Sequence, residues 1–383
     1  MMSTHHAATI VAIAISALLP AAVQAQAATD IPIASTSAHQ ATEAGAAFIA
    51  SLRPEQRQAV VHALDDAERS GWSNVPMFAH ARPGLRIRDL TTAQRRALHG
   101  LLRASLSSQG YQKVTNIIRL DSIHGARELA HLDEHGPAPD DRPFVQHEAE
   151  SFGSGSYAVA VFGNPGRDAD WGWLIQGHHM GITFTVSGEN AGLTPMFLGA
   201  TPLVLDDGIL AGWSALSHEV ARGAELIASL TPSQREVVLE PGDVPGDALY
   251  SVGHKHELPE FSGLRSRDMT PPQQRLLRAL VEEYVRNADF DVAEAQLAAI
   301  GEAGWDNLWL SWRGATDDTM APHYYRVHGE RILIELAHRP NHIHTFVRDP
   351  QNDYGEHWLG ETYTETHTAG DRFDAAVRAF EQR

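Results

Sequence analysis

The chain has 383 residues, of which 43% are hydrophobic, so it can bury a large core and is long enough for two domains. It carries 30 Lys+Arg against 48 Asp+Glu, a formal charge of −18. This charge argues against nucleic acids and anionic membranes as partners, because both are bound mainly through positive charge. Cysteine is absent, which excludes disulfides and thiolate metal sites.

Residues 1–25 have the pattern of an export signal. An almost unbroken apolar run occupies residues 7–22, and VQA at 23–25 is a small-x-Ala cleavage pattern. The run is too short to span a bilayer. We therefore predict a periplasmic or secreted protein with no membrane contact after cleavage. Its mature chain is predicted to begin with a flexible lead-in, rich in Ala, Thr and Ser, over residues 26–42.

The remainder of the chain contains one pattern twice. FIASLRPEQR at 48–57 returns as LIASLTPSQR at 226–235, and GLRIRDLTTAQR at 84–95 returns as GLRSRDMTPPQQ at 263–274. Two matches in the same order and at nearly the same spacing indicate a duplicated folding unit. We predict a first repeat unit over 43–205 and a second over 206–383.

Each copy is predicted to begin with helices. A Thr followed three residues later by Gln is a capping-box start, and it occurs at Thr91, Thr231 and Thr270. Leucines then recur on one helical face behind Thr91 and behind Thr270, as expected for helices that pack on a core.

Each copy is then predicted to turn to strands. Short β-branched and aromatic runs, separated by Gly and Pro, favour antiparallel strands over helices. They occupy residues 157–163, 171–177 and 182–186 in the first copy and 308–314, 323–329 and 332–336 in the second. Because strands follow helices in blocks, we predict an α+β fold with two helix-plus-antiparallel-sheet units related by a pseudo-twofold axis.

The two copies differ in their histidines. The second copy has NHIH at 341–344, and on a strand the side chains of His342 and His344 share one face. Ile343 and Thr345 then point the other way, towards packing. Two imidazoles on one face can bind one metal ion, such as zinc, copper or iron, although a third ligand is needed.

The third ligand is expected from His178 or His179, of which regular strand alternation admits only one unless Gly177 introduces a bulge. His323, His328 and Glu335 are further candidates. The alternative for these histidines is a cluster that serves hydrogen bonding or responds to pH.

Four further residues are candidates for contact with a small-molecule substrate or ligand. They are Trp173, Tyr325, Arg326 and Arg348. For the two aromatic residues the alternative is packing in the sheet, and for the two arginines it is a structural ion pair.

Several motifs resemble one family. They are WGWLIQGHHMGITFT at 171–185, PMFLGATP at 195–202, HYYR at 323–326, NHIH at 341–344, RDP at 348–350 and DYG at 353–355. In this order they are similar to an uncharacterised family of exported proteins known as domain of unknown function 3500. The resemblance covers most of the mature chain, and it implies no particular reaction.

The leading hypothesis from the sequence is an exported metal-dependent enzyme, a hydrolase or an oxidoreductase, with its histidine-rich site between the two repeats. The alternative is a non-catalytic periplasmic protein that binds a small molecule. A third hypothesis is a structural or pH-responsive exported protein.

Overall fold

The computed structural model describes residues 35–71, 73–74, 80–136, 153–251 and 258–359. The predicted export signal at 1–25 lies outside these residues, so it stays a prediction. In the part of the chain that is described, no helix is long and apolar enough to cross a membrane.

Helices and strands alternate as blocks along the described residues. The helices are α1 (Ser35–Ser51), α2 (Pro54–Val60), α3 (Thr92–Ser105), α4 (Ser108–His135), α5 (Ser217–Ser229), α6 (Pro232–Val238), α7 (Pro271–Val285), α8 (Phe290–Ala303) and α9 (Glu356–Leu359). The strands are β1 (Val61–His62), β2 (Leu85–Arg86), β3 (Ala158–Phe162), β4 (Asp170–Gln176), β5 (Met180–Ser187), β6 (Asn190–Gly192), β7 (Met196–Ala200), β8 (Leu264–Arg265), β9 (Trp309–Gly314), β10 (His323–Gly329), β11 (Ile332–Arg339) and β12 (His342–Arg348). The α+β prediction is confirmed.

The twelve described strands form one sheet. Its order is β1-β3-β4-β5-β7-β12-β11-β10-β9-β8, with β2 paired to β3 and β6 paired to β5. The first and last halves of the chain join where β7 pairs with β12 in antiparallel register. This junction is where side chains from both halves can meet.

The register of β7 and β12 decides which side chains share a face of the sheet. Phe346 lies opposite Phe197 and His344 lies opposite Gly199, whereas Ile343 lies opposite Ala200. Residues opposite one another point to the same face, and successive residues alternate. Ile343 belongs to the main core with the buried leucines of the helices, and Phe346 belongs to a smaller cluster. His344 therefore lies on the face away from the helical core.

The segment predicted as a flexible lead-in is helical from Ser35 onward, so that prediction is wrong for residues 35–42. Ala38 and Ala41 are buried, and the Ser37 hydroxyl donates to Asp289 Oδ2 at 2.6 Å. Small side chains let α1 approach the rest of the protein closely. The same composition is typical of flexible segments, which explains the error.

The predicted capping boxes form in α3, α6 and α7, and their glutamines make the same contacts in both halves. Gln56 and Gln94 exchange side-chain hydrogen bonds of 3.4 and 2.7 Å. Gln234 and Gln273 exchange bonds of 3.0 and 2.9 Å. Gln94 and Gln273 thereby link α3 and α7 to the short helices α2 and α6 that precede them.

One buried ammonium lies among helices from both halves. Lys113 Nζ of α4 is 2.7 Å from Glu219 Oε1 of α5 and 2.7 Å from Glu283 Oε1 of α7. The exposed side-chain fractions are 8% for Lys113, 1% for Glu219 and 8% for Glu283. Burial raises the pKa of Glu219 above its ordinary value, although the charge of Lys113 opposes the shift. Lys113 is therefore within ion-pair distance of two buried carboxylates, and Glu283 also has the exposed His218 ring 3.7 Å away.

Candidate metal centre

The turn between β4 and β5 carries the first pair of histidines. β4 ends at Gln176 and β5 begins at Met180, and the Gly177 amide donates to the Met180 carbonyl at 2.8 Å to close the turn. His178 and His179 are thus outside the regular strands. Strand alternation does not apply to them, and both rings can approach one point.

The hairpin between β11 and β12 carries the second pair. Arg339 and His342 are paired in register on either side of it, and Asn341 adopts a left-handed φ of 56° that asparagine tolerates well. The Asn341 Oδ1 accepts a hydrogen bond of 3.1 Å from the Leu203 amide, which anchors the turn. The predicted packing of Ile343 is confirmed, since it is fully buried.

These four histidines come together, and we call them the histidine centre. His179 Nε2 is 3.1 Å from His342 Nε2, which in turn is 2.8 Å from His344 Nε2. His178, His179 and His342 each offer a ring nitrogen within 4.8 Å of the others. The pairs come from positions 163 residues apart in the chain.

Two carboxylates orient the rings from behind. Asp121 of α4 lies 2.6 Å from His179 Nδ1 and also accepts a hydrogen bond from the Tyr157 hydroxyl. Asp247 lies 2.7 Å from His344 Nδ1. A carboxylate at Nδ1 fixes the ring so that Nε2 faces inward, which is the usual support of a histidine metal ligand.

The pKa values of these groups reflect their burial. Burial, with a smaller contribution from neighbouring rings, lowers the pKa of His178, His179 and His342, so these rings are neutral at physiological pH. Burial raises the pKa of Asp121 to about 8, against the hydrogen bond from Tyr157, and a cation bound at the rings would favour its charged, carboxylate form. Burial alone would raise the pKa of Asp247, but the interaction with His344 is part of what lowers it.

The contacts of His342 and His344 indicate where their hydrogens lie. Asp247 Oδ1 lies 2.7 Å from His344 Nδ1 and accepts its hydrogen. Arg339 Nη2 donates to His342 Nδ1 at 3.3 Å. Because a neutral imidazole carries one N–H, the hydrogen of His342 is then on Nε2. A cation bound at His342 Nε2 would take the place of that hydrogen.

Gly199 makes room for two of the rings. A Cβ atom at this position would lie 2.8 Å from His179 Cδ2 and 2.8 Å from His344 Cδ2, closer than real Cβ atoms approach. The Gly199 amide also donates to the His179 carbonyl at 2.8 Å. Because Gly199 has no side chain, the rings of His179 and His344 can both pack against this position.

We expect Gly199→Ala to weaken metal binding about 10- to 100-fold, because the added methyl displaces two rings that Asp121 and Asp247 hold in place. Isothermal titration with Zn²⁺ would measure the affinity. Gly100→Ala is the matched control, since a Cβ atom there meets no atom within 4 Å. Equal affinity in the folded Gly199→Ala variant would contradict this role.

The structure does not bring His323 to the histidine centre. His323 pairs in register with His338, and His338 pairs with Ile343, so all three side chains share the face opposite to His342 and His344. The His323 ring stacks on Trp312 with centroids 5.0 Å apart, and its Nδ1 donates to the Ala321 carbonyl at 2.9 Å.

The predicted aromatic contacts also lie on the helix-covered face. The Trp173 indole donates to Ser105 Oγ at 3.1 Å and stacks on Phe184. The Tyr325 hydroxyl donates to the Glu219 carbonyl at 3.0 Å and lies 2.5 Å from the Tyr284 hydroxyl. These side chains pack inside the protein, as their alternative interpretation held.

The two predicted arginines are buried with carboxylate partners. Arg326 Nη2 donates to Glu240 Oε1 at 2.8 Å, and Arg348 Nε donates to Asp353 Oδ2 at 2.7 Å. Both contacts are ion pairs internal to the fold.

Sequence reasoning missed Asp121, Asp247, Gly199 and Arg339. The two aspartates are 58 and 97 residues away from their histidines, in a helix and a loop, so local spacing carries no signal for them. Arg339 could have been found, because it precedes the hairpin turn that leads into NHIH and must pair with His342 if the turn has two residues.

The comparison with known families agrees with the motifs. The model described as Protein of unknown function (DUF3500) matches residues 34–356. The chain belongs to this family. The histidine centre and both aspartates of this DUF3500 protein lie within the matched range. Neither the curated proteins nor the solved structures contain a match.

Proposed function

We propose that this DUF3500 protein is an exported metal-dependent enzyme whose metal is held by the histidine centre. His178, His179 and His342 supply three ring nitrogens that lie within 4.8 Å of one another, and His344, whose Nε2 is 2.8 Å from His342 Nε2, is the fourth candidate ligand. The observation that carries the proposal is the convergence of His342 Nε2 on its two neighbours at 3.1 and 2.8 Å.

The spacing of the nitrogens supports this proposal. Metal–nitrogen bonds near 2.1 Å in a tetrahedral site place the nitrogens roughly 3.4 Å apart. His342 Nε2 lies 3.1 Å from His179 Nε2 and 2.8 Å from His344 Nε2, so these two pairs need only a small expansion. A ligand set made of imidazoles alone suits zinc, copper or iron better than magnesium or calcium.

The surroundings support a reactive role more than a purely structural one. His179 and His344 are buried, whereas His178 and His342 are partly exposed, so the centre borders solvent on one side. A bound metal would supply activation of water for hydrolysis, or electron transfer if it is copper or iron. The chain's part is to hold neutral rings, orient them through Asp121 and Asp247, and leave one side open to a small-molecule substrate.

A separate cavity favours a second candidate function, the binding of a small apolar molecule without catalysis. It has a volume of about 280 Å³, and its lining includes Leu193, Met196, Tyr284, Val292 and Trp358. Small-molecule pockets are mostly apolar with a few polar groups, and this lining matches that description.

We further propose that the fold arose by duplication, with the two halves related by a pseudo-twofold axis. Gly84 and Gly263 support this, with φ of 89° and 96°. A Cβ atom at either would lie 2.0 Å from a carbonyl oxygen, that of Val159 and that of Leu310 respectively. The matching glutamine pairs give the same indication. Export to the periplasm or the medium is proposed from the pattern of residues 1–25.

The test of the metal proposal is elemental analysis of protein purified without a histidine tag, followed by thermal unfolding with and without added metal. We expect close to one zinc, copper or iron per chain. A hundredfold excess of metal over its Kd should stabilise the protein by about 2.7 kcal/mol. Absence of bound metal together with an unchanged Tm would end the proposal and leave the binding function as the stronger candidate.

A further inference from the structure

Arg339 is a cation beside His342, one of the two partly exposed rings of the histidine centre. It ends β11, pairs in register with His342 and is partly exposed. Its Nη2 donates to His342 Nδ1 at 3.3 Å. Among the described residues no carboxylate lies within ion-pair distance of it.

The carboxylates of the centre are already engaged. Asp121 contacts His179 and Tyr157. Asp247 Oδ1 contacts His344 and the Ala248 amide, and its Oδ2 accepts from Asn74 at 2.7 Å. Both therefore support the rings, and the Arg339 charge has no matching anion beside it.

The contact between Arg339 and His342 is incompatible with metal binding at His342 Nε2. A guanidinium only donates hydrogen bonds, so His342 Nδ1 must be an acceptor in this contact. A neutral ring that binds a cation through Nε2 carries its hydrogen on Nδ1 and there becomes a donor. Two donors then face each other, and the positive charges of the metal and the guanidinium repel. Metal binding must turn Arg339 away from His342.

We infer that loading of the histidine centre with metal releases Arg339 from His342 and makes its guanidinium the binding site for an oxyanion of the substrate, a carboxylate, phosphate or sulfate group. The inference rests on the metal centre proposed above. On this inference, the substrate carries an anionic group that reaches both the metal and Arg339.

The chemistry of the guanidinium supports an oxyanion. Its planar fork of N–H groups matches the two oxygens of such a group, which a lone ammonium does not. A divalent metal beside an arginine gives strong local positive charge on a chain with a formal charge of −18. An anion is thereby drawn to this point and repelled by the rest of the surface.

Sulfate binding to the full chain loaded with Co²⁺ tests the inference, because cobalt reports on its ligands through its visible absorption. We expect metal-loaded wild type to bind sulfate at least tenfold more tightly than metal-free protein. Arg339→Gln should lose at least tenfold in sulfate affinity while still binding one Co²⁺. Arg339→Lys keeps the charge but lacks the planar fork of N–H groups, so its sulfate affinity should lie between those of wild type and Arg339→Gln. Arg96→Gln, at an exposed arginine of α3, is the control and should match wild type.

Thermodynamic linkage between sulfate binding and Co²⁺ binding provides an independent test. If metal creates the anion site, saturating sulfate must tighten Co²⁺ binding by the same factor by which Co²⁺ tightens sulfate binding. Failure of Co²⁺ to bind at all would overturn the metal proposal and this inference with it. Normal Co²⁺ binding, with equal sulfate affinity in wild type and Arg339→Gln, would overturn this inference alone.

Discussion

Replacement of both His179 and His342 by Asn is expected to lower metal affinity by roughly 10⁴-fold. Zinc sites with four protein ligands are worth about 10–16 kcal/mol, so each ligand contributes about 3 kcal/mol and the loss of two costs about 6 kcal/mol. His342 matters most, since its Nε2 lies 3.1 Å from His179 Nε2 and 2.8 Å from His344 Nε2. Competition with a chromogenic zinc chelator would measure the change.

The control for this variant removes two histidines that the structure keeps apart from the centre. His39 and His218 have side chains exposed by 75% and 74%, and their replacement by Asn should leave metal affinity within twofold of wild type. Circular dichroism of both double variants would check that the fold is retained. If the His179/His342 variant binds metal as tightly as this control, the histidine centre is not the metal site.

Replacement of Lys113 by Met is expected to destabilise the protein by about 3–5 kcal/mol at neutral pH. Methionine fills a similar volume but leaves Glu219 and Glu283 buried without their cation, and an uncompensated buried charge is the costly result of breaking such a pair. Urea unfolding would give the free energy of unfolding. Gln112→Met, at the exposed neighbouring position on α4, should change it by less than about 0.5 kcal/mol.

The destabilisation caused by Lys113→Met should depend on pH, in a direction set by the pKa of Glu219. Burial raises the pKa of Glu219 in the folded protein, so the protonated form is favoured by folding. The corresponding stability is present below its unfolded pKa near 4.3 and is lost as the pH rises through the folded value. The loss in free energy of unfolding caused by Lys113→Met should therefore be smaller at pH 4.5 than at pH 7.5. Glu219→Gln should relieve part of it in the double variant, and a deficit that is constant with pH would contradict this account.

Helix starts and strand positions were predictable because their causes are local. The Thr91–Gln94 capping box needs only residues three apart, and it forms as expected. The shared face of His342 and His344 follows from the two-residue period of a strand, and it too is found. The flexible lead-in was wrong because small residues indicate either flexibility or close packing, and only the contacts of α1 distinguish the two.

The site required information that no local pattern contains. His323 is close in sequence to the predicted cluster, yet two hairpins place it on the other face of the sheet from His342. Which side chains of two hairpin strands share a face of the sheet depends on the number of residues in the turn, and the sequence does not determine that number. Asp121 reaches His179 from α4 because of the way that helix packs.

The sequence by itself determined the class of fold, the family and the presence of unlike histidines in two similar halves, since composition, capping and strand period act over a few residues. Only the tertiary structure decided that Gly199 faces His344, that Asp121 and Asp247 lie behind the rings, and that Arg339 touches His342. Those contacts join residues brought together by strand register and helix packing, and both are set by the free energy of the whole core, not by neighbours along the chain.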